Sequence, residues 1–283
     1  MSSSLNLKSE YKCFEGTVAY YSHYSSTCNC EMNFAVYLPP QAKTKPVPIL
    51  YYLSGLTCTE ENFTAKAGAQ RYAAELGLML VAPDTSPRNT GITEEDRDWD
   101  LGSGAGFYVD AVMQPWQKHY QMYSYVVQEL PELIAAHFPV QSDRQSIFGH
   151  SMGGHGALIC ALKNPQQYLS VSAFAPIAAP MDCPWGDKLF TAYLGSDRSL
   201  WSEYDATQLV QQTQLASEIL IDQGTEDPFY HQKQLLPETF EAACDRAGQK
   251  LNLRWQQGYD HSYFTISSFI KDHIQHHAAY LNN

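Results

Sequence analysis

The residues with the clearest chemical potential are Gly149-His150-Ser151-Met152-Gly153, a G-x-S-x-G run. The preceding stretch 145–148 reads as a short buried strand, and 152–163 reads as a helix that begins with small residues. A serine hydroxyl is a poor nucleophile unless it is exposed beside a base. A sharp strand-to-helix turn provides that exposure, and its glycines are needed where neighbouring backbone leaves no room for a Cβ. Close helix packing alone would account for Gly153, Gly154 and Gly156, but not for a serine at position 151.

A nucleophile on such a turn requires an acid and then a histidine, in that chain order. The acid belongs just after a later strand. The stretch 219–221 reads as one, and Asp222, Glu226 and Asp227 all follow it. Asp227 is favoured because it sits at the loop tip, where Pro228 biases it away from helix; Asp222 and Glu226 remain competitors. The base belongs in the loop after the last strand, where Gly258-Tyr259-Asp260-His261-Ser262-Tyr263 follows a strand-like 251–255. Of ten histidines, His261 alone satisfies both order and loop position. His150 and His155 are expected to pack the turn, and His273, His276 and His277 to lie on a solvated helix face. A tetrahedral intermediate also needs N–H donors for its oxyanion. One follows the nucleophile, at Met152; the other is expected at Leu56, in the loop Ser54-Gly55-Leu56-Thr57-Cys58-Thr59.

These residues demand a scaffold that brings distant loops to one edge. Strand-like runs at 18–21 and 32–37, without helices between them, predict an antiparallel N-terminal edge. The near-continuous apolar run 47–53 predicts a strand buried on both faces. Beyond it, strand-like 78–82, 145–148, 171–175, 219–221 and 251–255 alternate with helix-like 67–76, 120–137, 152–163, 232–247 and 262–280. The expected fold class is α/β, a mostly parallel central sheet with helices on both faces. Residues 83–106 and 176–207 break the rhythm and are expected to wall the mouth of the site. No internal repeat or linker is evident, so residues 1–283 are expected to form a single domain.

Composition narrows the function classes. With 44% hydrophobic residues the chain can fill a core, and its net charge of −12 argues against nucleic acid or an anionic membrane surface as partner. The start, residues 1–8, is polar and Ser-rich, unlike a signal peptide, and no apolar run is long enough to span a membrane. Seven scattered cysteines without a C-x-x-C pair suggest reduced thiols and a cytoplasmic location. The run 102–106 does not fit a dinucleotide loop. The acidic stretch Glu94, Glu95, Asp96, Asp98 and Asp100 lacks an EF-hand pattern and is expected to be a solvated loop. No cofactor and no metal are expected.

Longer stretches around these motifs resemble the S-formylglutathione hydrolases, the family that includes esterase D, within the α/β-hydrolase superfamily. They are Leu53-Ser54-Gly55-Leu56-Thr57-Cys58-Thr59-Glu60, then Gly104-Ala105-Gly106-Phe107-Tyr108-Val109-Asp110-Ala111, the run from Gly149 to Gly156, and Asp227-Pro228-Phe229 with the loop at His261. The resemblance runs over essentially the whole chain. It implies an α/β-hydrolase fold, hydrolysis of S-formylglutathione to glutathione and formate in formaldehyde removal, side activity on short-chain esters, and a cytoplasmic, often dimeric enzyme. It places Ser151, Asp227 and His261 on the family's triad, Leu56 and Met152 on its oxyanion donors, and Cys58 where some members carry an oxidation-sensitive cysteine beside the site. A formyl group is tiny, so Trp99, Phe107 and Trp185 are candidates for narrowing the acyl pocket. Lys66, Arg71 and Lys188 are candidates for meeting the carboxylates of glutathione. The rival readings are a general short-chain carboxylesterase or acyltransferase and, from another class, a catalytically dead binding module. The dead module would be expected to have lost one of the three catalytic residue types.

Overall fold

The computed structural model describes residues 4–283, so the first part of the polar start, residues 1–3, lies outside the described residues. Nine strands form one sheet: β1 (Asn6–Cys13), β2 (Gly16–Ser25), β3 (Cys30–Leu38), β4 (Val47–Leu53), β5 (Met79–Pro83), β6 (Val140–His150), β7 (Tyr168–Phe174), β8 (Ile219–Gly224) and β9 (Leu251–Gln256). Their spatial order is β1-β2-β3-β5-β4-β6-β7-β8-β9. The first three strands and the β3–β5 pair are antiparallel; every pair from β5 through β9 is parallel. This is the mostly parallel sheet with an antiparallel edge that the sequence predicts.

The centre of the sheet follows from the pleat. All seven residues of β4 are buried, and alternate side chains enter different cores. Ile49, Tyr51 and Leu53 join the helices Leu130–His137, Met152–Lys163 and Pro237–Ala247. Leu50 and Tyr52 join the helices Glu60–Lys66, Ala69–Leu76 and Tyr263–Leu281. A buried side chain of this size is worth about 1.5–3 kcal/mol, so the two-sided sheet is a firm platform. Because β4, β6, β8 and β9 run parallel, the loops leaving their C-terminal ends emerge at one edge, where open α/β sheets carry their sites.

Several expectations need correction. β1 was absent from the sequence reading because its residues are polar and exposed on an edge, which is how edges are blunted. The helix expected over 67–76 begins at Ala69, after Gly68 with φ +70°, and a separate short helix, Glu60–Lys66, precedes it. The one expected over 232–247 starts at Pro237, after a separate turn Pro228–His231. Residues 176–207 contain the helices Pro184–Leu194 and Arg198–Ser202. His273 and His277 are fully buried, not solvated. They belong to a hydrogen-bonded chain from Ser146 through Ser170, His277, Ser172 and His273 to Asp222. Glu95 and Asp100 are buried as well, bound to Tyr120 and Lys188 respectively. No helix among the described residues is long and apolar enough to cross a membrane, and all seven cysteines are free thiols.

Candidate active site

Ser151 stands between β6 and the helix Met152–Lys163 with φ +58° and ψ −119°. This region is sparsely populated for a residue with a side chain, and strain of this kind persists only where its surroundings impose it. They do so here. Ser151 N–H donates to Phe174 O at 2.9 Å, while Ser151 O accepts from His155 N–H at 3.0 Å and Ile177 N–H at 3.2 Å. The glycines are sterically obligatory. A Cβ on Gly149 would lie 2.2 Å from Gly153 O, and one on Gly153 would lie 1.9 Å from Leu53 O.

The loop after β8 supplies Asp227, which is fully buried and caps the short turn Pro228–His231. His261, in the loop after β9, places Nδ1 2.5 Å from Asp227 Oδ2. The competing acids are elsewhere engaged or turned away. Asp222 is buried against the Arg254 guanidinium, His273 and Gln256, and these partners overcome the effect of burial to hold its carboxyl down at about 2. Glu226 is exposed.

Ser151 and His261 line a single cleft of about 270 Å³, together with Gly55, Leu56, Thr57, Cys58, Trp99 and Trp185. The N–H groups of Leu56 and Met152 donate to no acceptor among the described residues. Met152 opens its helix, where N–H groups are left without intrahelical partners. The Leu56 loop is braced from behind, because Thr57 N–H donates to Gly104 O at 2.9 Å. The glycine run at 102–106 therefore supports this loop.

The aromatic candidates divide. Trp99 and Trp185 lie edge to face with centroids 6.0 Å apart. Phe107 is not brought to the cleft: it is fully buried, its ring 6.0 Å from that of His155 and its carbonyl accepting from His155 Nε2. Phe229, Tyr263 and His150 line the cleft and were not assigned to it in the sequence reading. Phe229 lies 4.7 Å from His261 and 5.0 Å from Trp185, ring to ring; its place beside Asp227-Pro228 was the available signal. His150 is 4.4 Å from His261, and burial holds its imidazole well below the usual histidine range. Burial likewise pushes the Cys58 thiol up, which disfavours the reactive thiolate. Of the three cationic candidates, Lys188 is paired with Asp98 and Asp100, and Arg71 with Glu75. Lys66 sits over the ring of Tyr263, 5.7 Å from its centroid.

Comparison with known proteins places the chain in a family. The family model for esterases matches residues 25–280. S-formylglutathione hydrolase of Rattus norvegicus is 58% identical over 97% of this chain and 98% of its own length. The Bos taurus protein of the same name is 56% identical over 99% of both. The solved structure of an S-formylglutathione hydrolase from Agrobacterium tumefaciens superposes with a TM-score of 0.95 at 50% identity, covering 98% of this chain and 99% of the other.

Proposed function

The chain belongs to the esterase family and, within it, to the S-formylglutathione hydrolases, and from that premise we propose that it hydrolyses S-formylglutathione to glutathione and formate through a formyl ester on Ser151. The observation that carries the chemistry is the His261–Asp227 contact of 2.5 Å in the loops that flank the Ser151 cleft. Asp227 orients His261 with Nδ1 protonated, leaving Nε2 free to act as base. Ser151 Oγ attacks the formyl carbon and its proton passes to His261 Nε2. The oxyanion that forms is held by the N–H groups of Leu56 and Met152, each worth about 3 kcal/mol in such a site. Collapse breaks the C–S bond, and the departing sulfur takes the proton from His261. A thiol with pKa near ~8.5 leaves readily, so the demand on the acid is small. Water then gives a proton to His261 and attacks the formyl ester; Ser151 Oγ leaves with that proton and formate is released.

Trp99, Trp185 and Phe229 give the cleft an apolar wall that favours a small acyl group, and this supports side activity on short-chain oxygen esters. Lys66, over the ring of the cleft-lining Tyr263, is the cation we assign to a carboxylate of the glutathione moiety. Cys58 lines the cleft, so its oxidation would introduce bulk and charge beside Ser151. Residues 1–283 acting as one domain, a homodimeric assembly and a cytoplasmic location complete the proposal. The deciding experiment compares kcat/KM on S-formylglutathione, S-lactoylglutathione and p-nitrophenyl acetate, with Ser151→Ala as control. A strong formyl-thioester preference that disappears in the variant supports the reading. Equal rates on the acetate ester would favour a general carboxylesterase. Absence of fluorophosphonate labelling at Ser151 would point to a binding module.

A further inference from the structure

We propose that Gln223 is a positioning residue for this reaction, acting through Asp227; the inference rests on the triad reading above. Gln223 lies within β8, outside the lining of the cleft, and is fully buried. Its Nε2 donates to Asp227 Oδ2 at 3.2 Å and to Gly224 O at 3.1 Å. Both partners are acceptors, which fixes the orientation of the amide: turned over, its oxygen would face a carboxylate and a carbonyl. In that orientation Gln223 Oε1 is buried and has no partner among the described residues. The amide is therefore oriented by its donor end.

That donor completes a set. Asp227 Oδ1 accepts from Phe229 N–H at 2.8 Å and Tyr230 N–H at 3.3 Å, and Oδ2 accepts from His261 Nδ1 at 2.5 Å and from Gln223. A carboxylate offers about four lone-pair sites, and all four are used in a place that is fully buried. The two backbone donors hold one oxygen. Among the described residues, Gln223 is the only donor besides His261 on the other. It therefore holds Oδ2 in line with the imidazole and draws off part of its charge, so that the shared proton stays on His261 Nδ1 and Nε2 remains the base.

Gln223→Met keeps the length of the side chain and removes the donor. Expected is a fall in kcat of roughly tenfold or more, since hydrogen bonds to charged groups are the strong ones, with KM within about twofold because nothing facing the substrate changes. The far-downfield proton resonance of the His261–Asp227 bond should move further downfield as His261 becomes the sole donor on Oδ2. A folded Gln223→Met enzyme with unchanged kcat and unchanged resonance overturns the assignment. Should the methionine variant not fold, Gln223→Glu decides. Opposite Asp227 the new carboxyl can donate only when protonated, so its kcat relative to wild type should fall as pH rises; a constant ratio overturns the proposal. Asp227→Ala is measured alongside. If it keeps full activity, the triad reading itself fails; if it is inactive while Gln223→Met is unaffected, the Gln223 assignment alone fails.

Discussion

Each side chain in the cleft is placed by the one behind it. His261 is bounded by Phe229 and His150, with ring centroids 4.7 Å and 4.4 Å away, and Phe229 in turn rests on Trp185. Trp185 thus narrows the cleft and backs the ring that backs the base. Trp185→Leu should enlarge the acyl side while leaving an apolar wall. One methylene of acyl chain is worth about 1–3 kcal/mol of discrimination, so the ratio of kcat/KM for p-nitrophenyl butyrate to that for the acetate should rise about tenfold or more. A proportional loss on both esters would mean that Trp185 acts only by holding Phe229 and His261.

The turn at Ser151 joins two elements that approach as closely as backbone permits, and Gly153 is the contact point. An added Cβ there would lie 1.9 Å from Leu53 O and 2.6 Å from Ser54 O, both backbone atoms with no room to yield. Gly153→Ala must therefore push the helix Met152–Lys163 away from β4, separating Met152 N–H from the Leu56 loop. We expect kcat to fall by at least about 100-fold, the effect of losing one oxyanion donor, together with about 1–3 kcal/mol of stability from overpacking, read by steady-state kinetics and thermal melting. The contrast with what was hard to read is physical. Strand, turn and helix at 145–163 are specified by local residue types, so the motif and its elements were legible, as was the buried run of β4. Chain order led to Asp227 and His261 because parallel strands deliver their loops to one edge. Phe107 misled because an aromatic in a long loop looks the same in sequence whether it faces a ligand or a buried histidine. His273 and His277 misled for a related reason: four-residue spacing puts both on one face, but only tertiary packing against Ser172 and Asp222 makes that face an interior. Gln223 carried no signal at all, since its role exists only through a carboxylate four residues away.

At the scale of the whole molecule, the interior holds several imidazoles whose protonation burial disfavours, and this sets the response to acid. His150, His155, His273 and His277 are all buried. Burial pushes His155 down to about 4 and holds His150 and His277 well below the ordinary range. His273 is also lowered, although the Asp222 carboxylate opposes part of the effect. The unfolded chain would protonate each of them near 6.5, while the folded chain refuses the proton. Between those two values the unfolded state binds more protons, so stability falls as pH falls. The stabilisation is complete above about pH 6.5 and for His155 is lost progressively down to its folded value. For His155 alone, the drop from 6.5 to about 4 corresponds to about 3 kcal/mol. His150, His273 and His277 act in the same direction. Asp222, held at about 2, adds its own loss only below its unfolded value of 3.8. The expected outcome is a urea midpoint that is constant from about pH 8 to 7 and falls steeply below about 6.5, well before ordinary carboxylates titrate. His155→Gln can still donate to Phe107 O, the partner of His155 Nε2 at 3.1 Å, but has no proton to gain. That variant should lose less stability than wild type between pH 7 and 5, whatever its starting stability. Parallel profiles for the two proteins would place the acid sensitivity outside the imidazole core.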